Sequence, residues 1–420
     1  MSRSTLSELR VDPARLLGRI QDMARIGSTV NGGSNRQALT DEDANGRELF
    51  ASWCEGLGCE IRIDSIGNMF ARREGSDRFA DPVLVGSHLD TQPTGGKYDG
   101  VYGVLAGVEI IETLNSEKVV TEAPIEVIVW TNEEGCRFDM PAMGSSVWAG
   151  VLKEQDAYRE VDRSGCSVLS ELNRTGYLGQ TRAAPFDFRA AFELHIEQGP
   201  VLEKESKAIG VVTSTQNMSR HTLKIFGSEA HAGTTPMSMR KDPVMAISEM
   251  LPQFYAAANS AGPSARITFG QISCSPGVVN TVPGEVEIKI DLRHPCQVSH
   301  DELAHKISAI ADACCKRFGV EFEIEKYWEK RSVEFDMGCR SSVKRAADLF
   351  GYQSMEIVSG ALHDACNLAL HGPTSMIFIP CKNGISHNEA EHADLEHIGF
   401  GANVLLHSVL DYATPKYMRD

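Results

Sequence analysis

The sequence contains no run of 18 apolar residues, which excludes a helix long enough to span a membrane. Its first residues, Met1 to Thr5, lack the apolar stretch of a secretory signal. Its eleven cysteines form no Cys-x-x-Cys pair, and their odd number and irregular spacing indicate free thiols in a reducing compartment. Lysine and arginine number 41 against 57 acidic residues, and the net charge of -16 argues against a nucleic-acid partner. We therefore expect a cytoplasmic protein that binds neither membranes nor nucleic acids.

The composition that remains is ordinary for a globular protein. Hydrophobic residues make up 42% and charged residues 23% of the 420 positions, as in soluble proteins generally. The length predicts two or three domains. An anionic substrate would need a local basic group against the acidic average of the chain.

The order of elements predicts a large α/β domain with a smaller domain inserted into it. Apolar runs alternate with amphipathic helices over residues 1–211 and again over 331–420, which predicts one doubly wound domain around a mixed sheet. Between these segments, residues 212–330 predict a small α+β (ferredoxin-like) sandwich. Its expected strands are Arg220–Phe226, Ala265–Gln271, Gly277–Val282 and Glu285–Leu292, and its expected helices are Pro243–Ala258 and His300–Phe318.

A His-x-Asp motif follows the apolar run that begins at Val83. The run predicts a buried strand ending at His88, at the sheet edge where open α/β folds bind ligands. His88 and Asp99, from the next loop, are a plausible pair of metal ligands. Asp90 could accept the other imidazole N–H of His88 and fix its tautomer. By itself, the motif would more readily be interpreted as a strand cap beside solvated turn residues.

Three further motifs place polar residues at the same predicted edge. Glu133 and Glu134 directly follow the strand Pro124–Thr131, and a buried pair of adjacent acids needs a cation nearby. One of them could bind a metal and the other act as general base. His195 and His387 each follow a predicted strand, although either alone could be an ordinary core or surface histidine. Together with His88, Asp99 and Glu134, these residues match a two-metal site with one bridging carboxylate.

These motifs resemble those of the amidase/carbamoylase branch of the M20 metallohydrolases. The shared runs are Gly-Ser-His-Leu-Asp-Thr-Gln-Pro-Thr-Gly-Gly-Lys-Tyr-Asp-Gly, Thr-Asn-Glu-Glu-Gly, His-Ile-Glu-Gln-Gly-Pro, Ala-His-Ala-Gly-Thr-Thr-Pro-Met and Ser-His-Asn-Glu, in family order. The branch includes N-carbamoyl-L-amino acid hydrolases, β-ureidopropionases and allantoate amidohydrolases. The resemblance implies two divalent ions, with His88 and His195 on one, Glu134 and His387 on the other, and Asp99 bridging. Zinc is the expected metal, and manganese, cobalt or nickel would also suit such ligands.

The resemblance also implies roles for residues that do not bind metal. Glu133 would be the general base and Gln198 would contact the ureido group of the substrate. From the inserted domain, acting as lid and dimerisation domain of a homodimer, His231, Asn280 and Arg293 would reach the site. His231 lies in a small-residue loop and suits an oxyanion, while the Arg293 guanidinium suits a substrate carboxylate. Without the resemblance, a surface salt bridge would be the preferred interpretation of Arg293.

One loop departs from the family pattern. Residues 359–365 read Ser-Gly-Ala-Leu-His-Asp-Ala, where the family has a glycine in place of Leu362. The loop lines the substrate pocket in relatives, so we assign Gly360 to substrate binding. Glycine permits positive φ or close backbone approach, so Leu362 makes the shape of this pocket the least transferable feature.

The leading hypothesis is hydrolysis of the ureido C–N bond of an N-carbamoyl amino acid, either an L-α-amino acid or β-alanine, to the amino acid, ammonia and carbon dioxide. Asp90-Thr91-Gln92-Pro93 resembles β-ureidopropionases and some carbamoylases more than allantoate hydrolases. The alternatives are an allantoate amidohydrolase, an M20 dipeptidase or aminoacylase, and a binding protein that kept the scaffold without catalysis.

Overall fold

The computed structural model describes residues 6–414 of the chain. Met1 to Thr5, on which the expected absence of a secretory signal rests, lie outside the described residues, as do residues 415–420. The chain divides into two compact units, a large unit of Met1–Thr213 with Glu334–Asp420 and a small unit of Ser214–Val333. Between residues 6 and 414, every helix is too short or too polar to cross a membrane.

The large unit is built on an eight-stranded mixed sheet in the order β1-β2-β4-β3-β5-β14-β6-β13. The central neighbours β4, β3, β5 and β14 run parallel to one another, while β2 and β6 pair antiparallel to β4 and β14. The strands are β1 Glu60–Ile63, β2 Met69–Arg73, β3 Val83–His88, β4 Ile125–Trp130, β5 Ala190–Ile196, β6 Ile209–Thr215, β13 Ser354–Ser359 and β14 Thr374–Ile379. The mixed α/β class predicted from the sequence is confirmed.

Some helices of the large unit begin at a side-chain cap. Asp12 accepts hydrogen bonds from two N–H groups of the first turn of Pro13–Arg25, and Thr40 caps the next helix in the same way. Gly107 lets one helix approach the sheet, because a Cβ there would lie 2.9 Å from Val127. The helices are Pro13–Arg25, Asp41–Gly56, Val101–Ser116, Met143–Trp148, Glu154–Arg159, Val168–Thr175, Val201–Lys204, Met337–Leu349, Ala365–Leu368 and Leu395–Ala413.

The four parallel strands are buried along their whole length. Parallel strands covered on both faces read as continuous apolar runs, which is why Val83–Val85 and Ile125–Trp130 lack alternation. Their carboxyl ends lie at one edge of the sheet. The polar segments that follow β3 and β4, and the loop after β14, therefore start from the same edge.

The small unit contains a four-stranded antiparallel sheet in the order β12-β7-β11-β9. Its strands are β7 Asn217–Phe226, β9 Arg266–Ser275, β11 Glu285–His294 and β12 Glu321–Lys330, with helices Pro243–Ser260 and Gln297–Phe318 and a separate pair, β8 Ala230–His231 and β10 Thr281–Val282. The chain order β-α-β-β-α-β is that of ferredoxin-like folds. Apolar side chains of both helices and of β7 and β11 form its core.

The predicted strand Gly277–Val282 is wrong for most of its length. Gly277 has φ +72° in a loop, and only Thr281–Val282 is extended, paired with Ala230–His231. The fourth strand of the sheet is Glu321–Lys330 instead, which pairs with β7. Its alternation of charged and apolar residues over Glu321–Ile324 is typical of a strand with one face in solvent, a signal that the prediction overlooked.

Candidate metal centre

His88 and His195 lie at the ends of neighbouring parallel strands with their Nε2 atoms facing Asp99. The Asp99 Oδ1 atom is 3.6 Å from His88 Nε2 and 3.1 Å from His195 Nε2. His88 Nδ1 donates to the Asp90 carbonyl oxygen at 2.8 Å, and His195 Nδ1 donates to that of Ile196 at 2.9 Å. Because a carbonyl holds each Nδ1–H, the neutral form of each imidazole carries its lone pair on Nε2, the atom that would bind a metal.

Asp90 acts differently from the sequence prediction. Its carboxylate is 4.0 Å from His88 Nδ1, and its backbone carbonyl accepts the imidazole N–H instead. The carboxylate oxygens accept hydrogen bonds from the Glu133 N–H at 3.3 Å and the Glu134 N–H at 3.2 Å. Asp90 therefore accepts the imidazole N–H as predicted, but through its backbone carbonyl and not its carboxylate. The turn after β3 points its side chain towards the end of β4, where it holds the backbone of the two glutamates.

A second group of possible ligands shares Asp99 with the first. His387 Nε2 lies 3.2 Å from Asp99 Oδ2 and 3.2 Å from Glu134 Oε2. The two oxygens of Asp99 thus face different groups, Oδ1 towards His88 and His195 and Oδ2 towards His387. In each group one donor atom per residue lies within 4.8 Å of the others. Imidazole nitrogens with carboxylate oxygens fit a divalent transition metal.

A third cluster, Glu193, His195 and His363, also has ligand-like spacing. Both Glu193 oxygens are already engaged, one by the Ser87 hydroxyl at 2.7 Å and one by the Ala365 N–H at 2.8 Å. The imidazole of His363 packs edge-on against His195 with ring centroids 4.7 Å apart. We therefore interpret these residues as support for His195 and not as a separate metal site.

Glu133 is buried beside this centre, with its carboxylate 3.5 Å from His88 Nε2. Burial raises its pKa well above the ordinary value; His88 opposes this rise, and the charges of Asp364 and Glu134 add to it. Burial and the charge of Asp99 likewise raise the pKa of Glu134 to about 7. So many buried carboxyl groups are costly without a cation among them.

The pKa values of Asp99 and His387 are shifted by their contacts with each other. Burial would raise the pKa of Asp99, but hydrogen bonds from His195, His387 and His88 hold it well below the ordinary value. The hydrogen bond to Asp99 raises the pKa of His387 to about 9, although burial opposes it. The centre attracts positive charge, which is what a cation site requires.

Several contacting residues escaped the sequence prediction. Gln92 donates to both oxygens of Glu134, from Nε2 at 2.7 Å and from its backbone at 3.1 Å. Glu391 accepts hydrogen bonds from the loop of Asp99 and from Ser386. In the sequence, Gln92 stands two residues after Asp90, and Glu391 ends the Ser-His-Asn-Glu-Ala-Glu run. Both residues thus lie close to predicted site motifs. Neither position identifies its partner.

The predicted substrate-binding residues of the large unit lie near this edge or on an open loop. Gln198 Nε2 donates to Asp99 Oδ2 at 2.9 Å, and its backbone has φ +56°. Gly360 is exposed, with open space where a Cβ would lie. The non-glycine residues with positive φ in the described part of the chain do not include Leu362. Leucine in place of the family's glycine therefore causes no backbone strain of the left-handed kind.

The remaining predicted residues belong to the small unit. His231 is exposed, and its Nδ1 accepts from the N–H groups of Gly233 and Thr234 at 3.0 and 3.2 Å, which leaves Nε2–H free to donate. Asn280 is brought next to it, because the Asn280 carbonyl accepts from the N–H of the residue after His231. Arg293 forms an ion pair with Asp291 at 2.7 Å, as the salt-bridge interpretation predicts.

Comparison with known proteins adds to this geometry. The profile of Peptidase family M20/M25/M40 matches residues 84–411. An N-carbamoyl-L-amino-acid amidohydrolase of Rhizobium meliloti is 45% identical over 404 residues, covering 96% of this chain and 97% of the relative. An allantoate amidohydrolase of Bacillus subtilis is 32% identical, covering 92% and 94%. The crystal structure of an amidase of the hydantoinase/carbamoylase family from Burkholderia multivorans superposes with a TM-score of 0.91 at 43% identity, covering 97% and 99%.

Proposed function

This chain belongs to peptidase family M20/M25/M40, and from that premise we propose that it hydrolyses the ureido C–N bond of an N-carbamoyl-L-amino acid. The products are the amino acid, ammonia and carbon dioxide. The observation that carries the proposal is Asp99, whose two oxygens face two groups of metal-ligand type beside a buried Glu133. The 45% identical relative that bears this activity in its name supports the choice of substrate class.

We assign two divalent ions to the site. His88, Asp99 and His195 would hold one, and Asp99, Glu134 and His387 the other; zinc is the expected ion, with manganese, cobalt or nickel as substitutes. When bound, such ions lower the pKa of a bound water towards neutrality and polarise the substrate carbonyl. His88 and His195 stay in the required tautomer because backbone carbonyls hold their Nδ1–H groups.

Glu133 is assigned as general base and then general acid. Its carboxylate takes a proton from the attacking water and delivers it to the leaving nitrogen of the ureido group. Burial and the neighbouring acids raise its pKa, whereas cations in the site would lower it. The hydrogen bonds from the Glu133 and Glu134 backbones to Asp90 hold the segment from which both side chains extend.

We assign substrate recognition to five residues by the resemblance of their motifs to those of the family. Gln198 would bind the ureido amide and Gly360 would bind through its backbone; His231 would donate Nε2–H to the developing oxyanion. Arg293 would form a forked pair with the substrate carboxylate, exchanging its present partner Asp291. Asn280, beside His231, would complete the polar contacts.

We further propose that the small unit serves as lid and dimerisation domain of a homodimer and that the enzyme works in the cytoplasm. The described cysteines are all free, which supports a reducing compartment. Sedimentation that gives a stable monomer at micromolar concentration would contradict the dimer.

The test is ammonia release from a panel: several N-carbamoyl-L-α-amino acids, N-carbamoyl-β-alanine, allantoate and, as a peptide control, an L-dipeptide assayed for free amine. The expected result is release from at least one N-carbamoyl-L-amino acid at a kcat/KM above that for allantoate. Preference for allantoate would favour the function named for the 32% identical relative. Turnover of the dipeptide alone would sink the ureido assignment.

A further inference from the structure

Glu391 lies between two loops that carry candidate metal ligands, although it is not a ligand itself. Its side chain is buried, with 5% of the residue exposed. Oε1 accepts hydrogen bonds from the Tyr98 N–H at 2.9 Å and the Asp99 N–H at 3.1 Å. Oε2 accepts from the Ser386 hydroxyl at 2.9 Å. One carboxylate therefore joins the loop of Asp99 to the residue before His387.

The Asp99 loop is shaped to receive this carboxylate. A Cβ on Gly96 would lie 2.0 Å from Glu391 Oε1 and 2.1 Å from its Cδ, so only glycine leaves room for the side chain. Ser386 also contacts the site directly, because its hydroxyl lies 3.3 Å from Asp99 Oδ2 and accepts from Gln198 Nε2 at 3.2 Å. A change at Glu391 would thus reach both the backbone and the side-chain oxygen of Asp99.

His387 is the candidate ligand that most needs such support. Its side chain is 49% exposed and its backbone has φ +52°. The Nδ1 atoms of His88 and His195 are each held by a carbonyl, whereas no described residue holds Nδ1 of His387. The orientation of His387 must then come from its neighbours in the chain. Ser386 is held by the Glu391 carboxylate, and the Asn388 carbonyl accepts from the Glu391 N–H.

We infer that Glu391 is a positioning residue that joins the His387 loop to the Asp99 loop and so sets the affinity of the metal position formed by Asp99, Glu134 and His387. The inference rests on the proposed function for the assignment of these ligands. The position of His88, Asp99 and His195 depends on Glu391 less, because it shares only Asp99 with the affected loops.

The experiment is a zinc titration of the metal-free full-length protein. Binding is measured by calorimetry and by competition with a chromophoric chelator. In Glu391→Ala, the second equivalent should bind about 10–100-fold more weakly, the range seen when the support of a ligand is removed, and the first equivalent should change less. Glu391→Gln should restore most of the affinity, since its amide oxygen still accepts the two N–H groups and its NH₂ can donate to Ser386. The matched control is Glu389→Ala in the same loop, whose carboxylate binds Asn31; its titration should equal that of the wild type.

Other outcomes would overturn the inference. An unchanged second equivalent in Glu391→Ala would do so, as would equal weakening of both equivalents with a lower melting temperature of the metal-free protein, which is the mark of a structural role. Should Glu391→Ala fail to fold, Ser386→Ala must weaken the second equivalent selectively, or the inference falls. Binding of one equivalent by the wild type also contradicts it. No substrate is used, so two-equivalent binding with this dependence but no hydrolysis of ureido acids would reject the proposed function alone.

Discussion

The two sheets of this chain distribute polar residues in opposite ways. In the large unit, β3, β4, β5 and β14 are buried at every position, and helices cover the sheet. In the small unit, β11 alternates buried with half-exposed residues, and β9 is exposed along its second half. The large sheet therefore has room for charge mainly at its edges, while the small sheet carries charge along one whole face.

This difference decides how a charged residue is interpreted. A buried ionisable side chain costs free energy unless it is paired or binds a metal, so His88, His195 and Glu133 at the edge of the large sheet point to function. Arg293 in the small unit lies on a strand where exposed charges are usual and is already paired with Asp291. Its role cannot be inferred from burial and depends on the family resemblance.

The largest effect should follow from Glu133→Gln in the large unit. Loss of the proposed general base should lower kcat by roughly 10²–10⁴-fold, while zinc content stays unchanged because Glu133 is not an assigned ligand. The control is Glu126→Gln on the same strand, a buried carboxylate paired with Arg72 at 2.9 Å near the other end of β4. It should lower stability and spare kcat. Equal loss of kcat in both variants would mean that position along the strand does not matter.

The second-largest effect is expected for Gly100→Ala. A Cβ at Gly100 would lie 2.4 Å from the His88 imidazole, so the ring must move. We expect metal affinity to fall roughly 10–100-fold, as when the support of a ligand is lost. Gly150→Ala is the control, since Gly150 has a similar φ of +72° and open space around it. Matching losses of affinity would show that backbone strain alone, and not displacement of His88, is responsible.

Arg293→Gln tests the small unit. If Arg293 binds the substrate carboxylate, KM should rise about 10–100-fold with little change in kcat, because a hydrogen bond to a charged group is worth about 1.5–3 kcal/mol. Arg220→Gln is the control, since Arg220 lies 3.8 Å from the same Asp291. A similar rise in both variants would reduce Arg293 to a member of the ion-pair network.

The smallest expected effect is a pH dependence of stability in the small unit. Burial, with the charges of His300 and Lys326, lowers the pKa of His221 to about 4. The unfolded chain binds the proton first as pH falls below about 6.5, so folding should lose about 2 kcal/mol between pH 7 and pH 5. Denaturant unfolding at both pH values should show this loss in the wild type and a smaller one in His221→Gln. A stability difference that is the same in both proteins would contradict the assignment.

The sequence was informative where local pattern and burial coincide. Continuous apolar runs ending in His88, before Glu133 and at His195 required strands buried on both faces, and their parallel direction places the ends at one edge. The grouping of these residues in the structure follows from that simple rule. That rule does not cover β12, which a second pattern indicates: its alternating charged and apolar residues are typical of a strand with one solvent-facing side.

Patterns in the sequence did not predict the contacts between loops that are distant in sequence. The Asp90 side chain was expected at His88 but binds the backbone of Glu133 and Glu134, since a turn decides its direction. Neither hydrophobic periodicity nor motif spacing indicates the hydrogen-bond partners of Gln92 and Glu391. These residues become visible only when the fold brings their loops together.

Metal removal and reloading tests the central claim most directly. The protein would be stripped with a chelator, reloaded with zinc in measured equivalents, and assayed for ammonia release from an N-carbamoyl-L-amino acid. We predict that stripped protein is inactive, that activity returns with bound zinc and reaches its full value at two equivalents, and that Glu133→Gln binds the same zinc without recovering activity. Ammonia release that persists in the stripped protein, or that Glu133→Gln retains in full, would contradict the account.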